Sequence, residues 1–272
     1  MHPRLSVHTV GFAAGPVRDL VGSLLAADIR RIGVPVAQLE SGGIAANAAA
    51  LRSAGVEVLD VVRPAAFTLA EPARWPGERD RLRAALEATT AVGAPILYLT
   101  TGPAGPLTWD EAAARFATAV APVRDQARTA GVTLAIENTT PLRADLGFVH
   151  RLTDAIDAAA LAGVAVCADL FAAWTDRDLP AALAAAGPRA GAGASAGRIV
   201  LVQVADFVLG TLRTPDRAVP GDGDIPIERQ LRWLAAAGYT GPIELELLGP
   251  RIAAEGPARA AARAARILSP WL

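Results

Sequence analysis

The chain is poor in several residue types, and each shortage narrows its chemistry. All 26 basic residues are arginine and none is lysine, which excludes catalysis through a lysine Schiff base. The single cysteine, Cys167, excludes an intrachain disulfide and favours a reducing compartment. No segment has the roughly 20 uninterrupted apolar residues that span a bilayer, and the first residues lack the pattern of a secretory leader. The sequence alone therefore predicts a cytoplasmic protein without a membrane partner.

The chain also lacks an excess of either basic or acidic residues. The formal net charge is -1, so no global field attracts nucleic acid, and none is predicted as a partner. Apolar residues are abundant, with 52% hydrophobic residues and a mean hydropathy of +0.33. The 272 residues exceed the usual size of one core, but barrels of alternating strands and helices reach about 250 residues as one domain. We therefore expect residues 1–272 to form a single domain.

Short apolar runs alternate with amphipathic segments along the chain. The runs predict eight strands: Leu5–Val10, Val34–Leu39, Val56–Val62, Pro95–Thr100, Val132–Glu137, Val164–Asp169, Ile199–Val204 and Ile243–Glu246. The segments between them predict helices, among them Val17–Arg31, Ile44–Ala54, Glu78–Val92, a long helix capped by Thr108 with Glu111, Phe148–Leu161, Leu179–Ala186, Ile227–Ala237 and Ala253–Ile267. The small-residue tract Gly187–Gly197 is predicted as a flexible surface loop.

This alternation predicts an α/β fold, a single (β/α)8 TIM barrel with eight parallel strands. A doubly wound open sheet is the alternative, but no Gly-x-Gly-x-x-Gly follows the first strand, which weakens it. In a parallel barrel the active site lies where the strands end, so side chains at neighbouring strand ends converge on one small volume. The functional residues are therefore expected at the carboxyl ends of the strands.

Four successive predicted strands deliver an acid or an amide at their carboxyl ends. These residues are Glu137, Asp169, Gln203 and Glu246. A buried strand end tolerates an ionised group only when a cation, a partner or a reaction compensates its desolvation. Three carboxylates and an amide oxygen, without histidine, suit Mn2+ or Mg2+ better than zinc. The alternative is that the acids form salt bridges with nearby arginines, and Gln203 is equally well read as an ordinary hydrogen-bonding residue.

Most of the chain, and most strongly the part from Val132 to Glu246, resembles the xylose isomerase-like TIM barrels, the sugar phosphate isomerases and epimerases. The motifs are LAIEN with Glu137, CADL with Asp169, and GYTGPIELE with Glu246. GDGD at 221–224 resembles the family's glycine-rich turn, and Arg217 stands where an arginine often precedes it. The resemblance implies that two glutamates hold a divalent cation and move a proton next to a carbonyl through an enediolate. Glu137 and Glu246 are then the acid and base, with no nucleotide cofactor.

Two positions depart from the family pattern. Gln203 stands where the seventh strand usually ends in histidine, and Ala172 stands where a histidine often follows the strand-six aspartate. Gln203 still offers a neutral oxygen to the cation, so the predicted metal ligands are Glu137, Asp169, Gln203 and Glu246. Ala172 makes no polar contact with a substrate. These two departures leave open a substrate, and a reaction, other than those of the sugar epimerases.

Further side chains are predicted to contact a carbohydrate-like substrate. Asp206 and Arg217 follow the seventh strand, and arginine offers a bidentate fork to hydroxyls or an anionic group. The other candidates for this role are His8, Arg143, Trp109 and Trp174. For His8, packing and pocket lining are equally supported, and a packed or solvated role is an open alternative for Arg143 and both tryptophans. Glu244 is expected to point into the barrel one layer below Glu246, paired with Arg4 or Arg198.

The sequence favours a metal-dependent isomerase or epimerase acting on a sugar, a sugar derivative or a cyclic polyol. One alternative is a lyase or dehydratase like the inosose dehydratases of the same superfamily, and the missing histidine at Ala172 supports it. A second is a barrel-fold binding or partner subunit without turnover. The apurinic endonuclease branch is disfavoured, because the chain has three histidines and a balanced charge. Apolar helix faces are compatible with a homodimer or a homotetramer.

Overall fold

The computed structural model describes residues 1–185 and 197–272. In this part of the chain eight parallel strands close into a barrel in sequence order, and β8 pairs with β1. This confirms the predicted (β/α)8 TIM barrel. The strands are β1 Leu5–His8, β2 Arg31–Pro35, β3 Glu57–Arg63, β4 Ile96–Leu99, β5 Thr133–Glu137, β6 Ala165–Asp169, β7 Ile199–Val204 and β8 Ile243–Leu245.

Helices connect the strands and pack around the barrel. Thr108 begins the longest one with a capping box: its hydroxyl accepts the amide of Glu111, whose carboxylate accepts the Thr108 amide, as predicted. The helices of the described residues are α1 Val21–Ala26, α2 Val36–Glu40, α3 Ile44–Ser53, α4 Trp75–Val92, α5 Trp109–Thr129, α6 Leu152–Ala162, α7 Leu170–Ala173, α8 Leu179–Ala185, α9 Ile227–Ala236, α10 Pro250–Glu255 and α11 Pro257–Leu268. None of them is both long and apolar enough to cross a membrane.

Three predicted elements differ from the structure. The predicted helix Val17–Arg31 is α-helical only over Val21–Ala26, and its last residue, Arg31, begins β2. The predicted strand Val34–Leu39 is mostly the short helix α2, because Pro35 begins a helical turn whose Val36 and Leu39 are buried. The predicted helix Ala253–Ile267 is two helices, since Gly256 has a φ of 93° and Pro257 follows it. Except for Gly197, the predicted surface loop Gly187–Gly197 lies outside the described residues.

The barrel interior is layered. A small apolar cluster that includes Ile96, Ala135 and Leu201 occupies its lower part. Two residues further along each strand the same face carries Tyr98, Glu137 and Gln203, because successive side chains alternate across a strand. The upper half of the interior is therefore polar, although it is as deeply buried as the apolar part.

Candidate active site at the mouth of the barrel

Three of the four predicted strand-end residues meet at the mouth of the barrel. Glu137 ends β5, Asp169 ends β6 and Glu246 directly follows β8. All three are buried, and each offers a carboxylate oxygen within 4.8 Å of the other two. Asn138 ties two of these strand ends together, because its amide donates to the Asp169 carbonyl at 3.0 Å and accepts the Asp169 N–H at 2.9 Å. The arrangement is a compact, buried acid cluster held by the sheet.

Arg217 enters this acid cluster from the loop after β7. Its guanidinium lies 3.0 Å from Asp169 Oδ2 and 2.6 Å from Glu246 Oε2, and it stacks 4.3 Å above the ring centre of Phe171. It also donates to the main-chain oxygen of Glu246 at 3.2 Å. The salt bridges that were the alternative reading of these acids are therefore present for Asp169 and Glu246. Arg217 was predicted to contact substrate, and it lines the same pocket as the acids.

One guanidinium leaves the acid cluster with excess negative charge. Burial, followed by repulsion from Glu246 and Asp169, raises the pKa of Glu137 well above its ordinary value. Burial also raises the pKa of Asp169 to about 6, although Arg217 opposes the shift. For Arg217 itself, burial favours a lower pKa, but the attraction of Asp169, Glu246 and Glu137 outweighs it and raises the pKa. The charges of this site are thus incompletely compensated by protein groups.

The acid cluster fits a divalent cation. Two oxygens on one such ion, each about 2.1–2.4 Å away, lie up to about 4–5 Å apart, which matches the spacing of the three carboxylates. Glu246 Oε2 is buried and accepts no hydrogen bond, since the nearby Arg217 N–H groups are directed elsewhere. One guanidinium neutralises only one of the three carboxylates, so a bound cation would compensate the remaining negative charge. These residues suit a hard cation that prefers oxygen ligands.

The role of Gln203 as a metal ligand stays a prediction, since its side-chain oxygen Oε1 is buried without a hydrogen-bond partner among the described residues. It pairs in register with Glu244 on β8, which lies one layer below Glu246. Its amide donates to the Tyr98 hydroxyl at 2.9 Å and to Glu244 Oε2 at 3.1 Å. The expected pairing of Glu244 with Arg4 or Arg198 is wrong. Arg4 instead donates to the backbone oxygens of residues 239 and 241.

Below the mouth lies a second buried acid group, which the sequence reasoning missed. Asp60 on β3 and Glu244 offer carboxylate oxygens within 4.8 Å of each other and of a His8 ring nitrogen. Neither oxygen of Asp60 accepts a hydrogen bond. Gly33 makes room for the group, because a Cβ there would lie 2.1 Å from Glu244 Oε1 and 2.6 Å from Asp60 Oδ1. The signal was a lone acid inside the apolar run VLDVV at 58–62.

Burial sets the protonation of this second acid group. Burial, together with repulsion from Glu246, raises the pKa of Asp60 to about 7 although its contact with Glu244 lowers it. Burial and the neighbouring Asp60 raise the pKa of Glu244 well above its ordinary value. Burial, aided by Arg217, lowers the pKa of His8 to about 3, so its ring is neutral at physiological pH. Two buried carboxyl groups in contact, of which Asp60 accepts no hydrogen bond from the described residues, thus retain a proton near neutral pH.

We expect the Asp60→Asn substitution to stabilise the protein at pH 8 by about 1–3 kcal/mol, with little change at pH 5. A pKa raised from 3.8 to about 7 on folding contributes stability that is complete below pH 3.8 and is lost as the pH rises through 7. The loss amounts to at most about 4 kcal/mol. The neutral amide of asparagine does not ionise, so it avoids this loss of stability, and it can donate a hydrogen bond to Glu244. Urea unfolding at both pH values measures the difference.

The matched control is Asp125→Asn, which alters an exposed carboxylate beside Arg124. It should change stability by less than about 0.5 kcal/mol at either pH. Equal stability differences between Asp60→Asn and the parent protein at pH 5 and pH 8 would contradict the argument.

Asp206 accepts hydrogen bonds from the backbone of its own loop, and its contact with a substrate stays a prediction. Its buried carboxylate accepts the backbone N–H groups of Phe207, Gly221, Gly223 and Ile225 at 2.8–3.0 Å. The loop after β7 therefore folds around one carboxylate. A Cβ at position 223 would lie 2.5 Å from Asp206 Oδ1, which explains the glycine in GDGD. The role of Asp206 is to position the loop that carries Arg217.

A pocket of about 190 Å³ opens above the acid cluster. His8 and Arg143, both predicted to contact substrate, line it. Arg143 also pairs with Asp145 at 2.9 Å on the rim. Among the described residues, those that line this pocket do not include Trp109 and Trp174, although both were predicted to contact substrate. They pack against Phe148 and Phe207, with ring centres 6.0 and 6.3 Å apart.

Comparison with known proteins agrees with this fold. The family described as xylose isomerase-like TIM barrel matches residues 26–270. The solved structure of protein SMc04130 from Sinorhizobium meliloti 1021 is 26% identical with a TM-score of 0.85, over 97% of this chain and 98% of that chain. D-psicose 3-epimerase from Clostridium cellulolyticum H10, solved with D-tagatose, is 15% identical with a TM-score of 0.76, over 99% of both chains.

A third solved structure, the IolI protein with a bound zinc atom, is 16% identical with a TM-score of 0.77, over 98% of this chain and 96% of that chain. No curated protein matches the sequence. Identities of 15% and 16% show a shared fold and nothing finer. The match to the family covers most of the chain, from β2 to the last helix. The protein therefore belongs to the xylose isomerase-like TIM barrel family.

Proposed function

We propose that this protein is a divalent-metal-dependent isomerase or epimerase acting on a sugar, a sugar derivative or a cyclic polyol. The observation that carries the proposal is the acid cluster of Glu137, Asp169 and Glu246, buried at the mouth of the barrel and matched by the single guanidinium of Arg217 among the described residues. An uncompensated buried carboxylate is costly, so three in contact indicate a cation or a reaction that uses them. Sugar epimerases share the fold.

The three carboxylates would hold the cation, with Mn2+ or Mg2+ favoured by an all-oxygen set. When bound, such a cation polarises a carbonyl and stabilises an enediolate. Glu137 and Glu246 would be the acid and base that move the proton on the carbon beside the carbonyl. They project from β5 and from the end of β8, which are not neighbours in the barrel, so they approach a bound substrate from different sides. Arg217 would orient a substrate oxygen.

The test is proton exchange. The protein is treated with a chelator, reloaded with Mn2+ or Mg2+, and incubated in deuterated water with ketoses, inososes and simple α-hydroxyketones. We expect NMR to show loss of the proton beside the carbonyl only after reloading. Product mass separates isomerisation, which conserves mass, from dehydration, which loses water. No exchange with any substrate and either cation would overturn the proposal.

A binding subunit without turnover is the second candidate, and the position of Arg217 favours it. Its guanidinium already supplies positive charge to Asp169 and Glu246. In that case elemental analysis of the purified protein finds no divalent cation, and added Mn2+ leaves the melting temperature unchanged. A catalytic metal site instead predicts one cation per chain and a melting temperature that rises with Mn2+ concentration.

A further inference from the structure

We infer that the substrate is an α-hydroxyketone or α-hydroxyaldehyde whose remaining carbon skeleton carries few hydroxyl groups. A fully hydroxylated sugar fits the pocket less well. This inference rests on the proposed function, because it names the substrate class of the same site. It comes from the wall of the pocket that faces the acid cluster.

The wall of the pocket away from the acids is apolar. At about 190 Å³ the pocket holds a molecule of roughly hexose size or smaller. Its ionisable groups are confined to the acid cluster with Arg217 and His8 on one side and to Arg143 at the rim. The remaining surface is built mainly from aliphatic, proline and aromatic side chains, among them Val10, Pro35, Val62, Leu146, Phe171 and Leu248.

Three of the four threonine hydroxyls on this wall already have a backbone partner, and Thr214 is the fourth. Thr100 accepts the Ala65 amide at 2.6 Å. Thr139 donates to the Val149 carbonyl at 3.5 Å, and Thr140 accepts the Leu142 amide at 3.4 Å. No asparagine, glutamine, serine, tyrosine or tryptophan occurs among the lining residues of the described chain. A sugar hydroxyl placed against the aliphatic, proline and aromatic side chains that make up most of this wall would therefore leave water without gaining a hydrogen bond.

The expected discrimination follows from that loss. Burying a hydroxyl without a partner weakens binding on the order of 10-fold to 100-fold, whereas a methylene in the same place is favourable. The reacting carbonyl and its neighbouring hydroxyl escape this penalty, because the acid cluster and Arg217 can accept from them and donate to them. The pocket wall therefore discriminates between substrates by the groups on the carbons that do not react.

The experiment compares D-psicose with 3-hydroxy-2-hexanone, which has the same carbonyl and reacting hydroxyl on six carbons but none of the other hydroxyls. Rates of deuterium exchange at carbon 3 are measured with the Mn2+-loaded protein, and each is divided by its uncatalysed rate. We expect kcat/KM to favour the deoxygenated ketone by at least about 10-fold. An equal or greater value for D-psicose would overturn the inference and leave the proposed function intact.

Binding gives a readout that does not need turnover. Saturation-transfer NMR with the same two compounds should show tighter binding of the ketone, whether or not exchange occurs. Exchange of neither compound, nor of any other substrate tested, would refute the proposed function. In that case tighter binding of the ketone would still support the apolar pocket, and equal or tighter binding of D-psicose would refute it.

A matched pair of variants connects the preference to the wall. Val62→Thr adds a hydroxyl to the pocket at nearly constant shape and should shift the ratio toward D-psicose by about 3-fold to 10-fold. Val200→Thr makes the same change on β7 at a position that does not line the pocket and should leave the ratio unchanged. Equal effects of the two variants on the ratio would overturn the assignment of this wall.

Discussion

The Glu246→Gln variant is expected to lose substrate proton exchange by about 10²-fold to 10⁴-fold, the usual contribution of a positioned acid or base. Glutamine keeps the shape of the side chain but removes both its negative charge and its ability to take up a proton. The same change at Glu137 should have an effect of the same order, because the proposed transfer needs both groups. Exchange measured by NMR in deuterated water, at saturating Mn2+, gives the two rates.

Stability separates this loss of chemistry from misfolding. Removing one carboxylate from a buried cluster relieves repulsion, so Glu246→Gln should melt at or above the temperature of the parent protein in the absence of metal. The control is Glu228→Gln, which alters an exposed glutamate paired with Arg232 on α9 and should leave exchange unchanged. A variant at position 246 that retains at least a tenth of the parent rate would exclude Glu246 from the proton transfer.

The Arg217→Met variant is expected to lose about 3–5 kcal/mol of stability without a divalent cation, because it leaves three buried carboxylates without their positive partner. Methionine retains much of the apolar contact with Phe171, so the change tests mainly the charge. Mn2+ should restore part of the loss, since the carboxylates can then bind the ion instead. Thermal and urea unfolding with and without Mn2+ measure both effects.

Arg263→Met provides the comparison for this variant. Arg263 also pairs with two carboxylates, those of Asp222 and Glu255, but on the surface. Its loss should cost less than about 1 kcal/mol and should not respond to Mn2+. If Arg217→Met gains Mn2+ binding that the parent protein lacks, the arginine holds the place of a cation, which supports the binding-subunit candidate.

The sequence predicted the barrel and three acids of its mouth because both depend on local patterns. Glu137, Asp169 and Glu246 each end a short apolar run, and parallel strands bring such ends together. Gln203 ends its run in the same way and is in register with Asp169 on β6 and with Glu244 on β8. Its amide donates to Tyr98 and Glu244, which the sequence did not indicate. A one-dimensional pattern shows which face a side chain occupies but not which neighbours its polar atoms bind.

Contacts made through loops were beyond the sequence patterns. Asp206 and Arg217 lie in the same long loop, and only the folded chain shows that the first organises the backbone while the second reaches the acids. Asp60 was accessible in principle, because a lone acid within an apolar strand already requires an explanation. Its partner Glu244 was placed on the correct face, but its environment depends on three strands distant in sequence.

The loop after β7, whose backbone amides donate to Asp206, also affects how a ligand reaches the pocket. Four amides fastened to one buried carboxylate make the β7 side of the mouth a fixed wall. The rim after β5 is the short turn Pro141–Arg143, where Leu142 is 65% exposed and Arg143 is anchored to the nearby, exposed Asp145. Ligands are therefore expected to enter and leave the barrel over this rim, so its side chains set the rates of ligand entry and release.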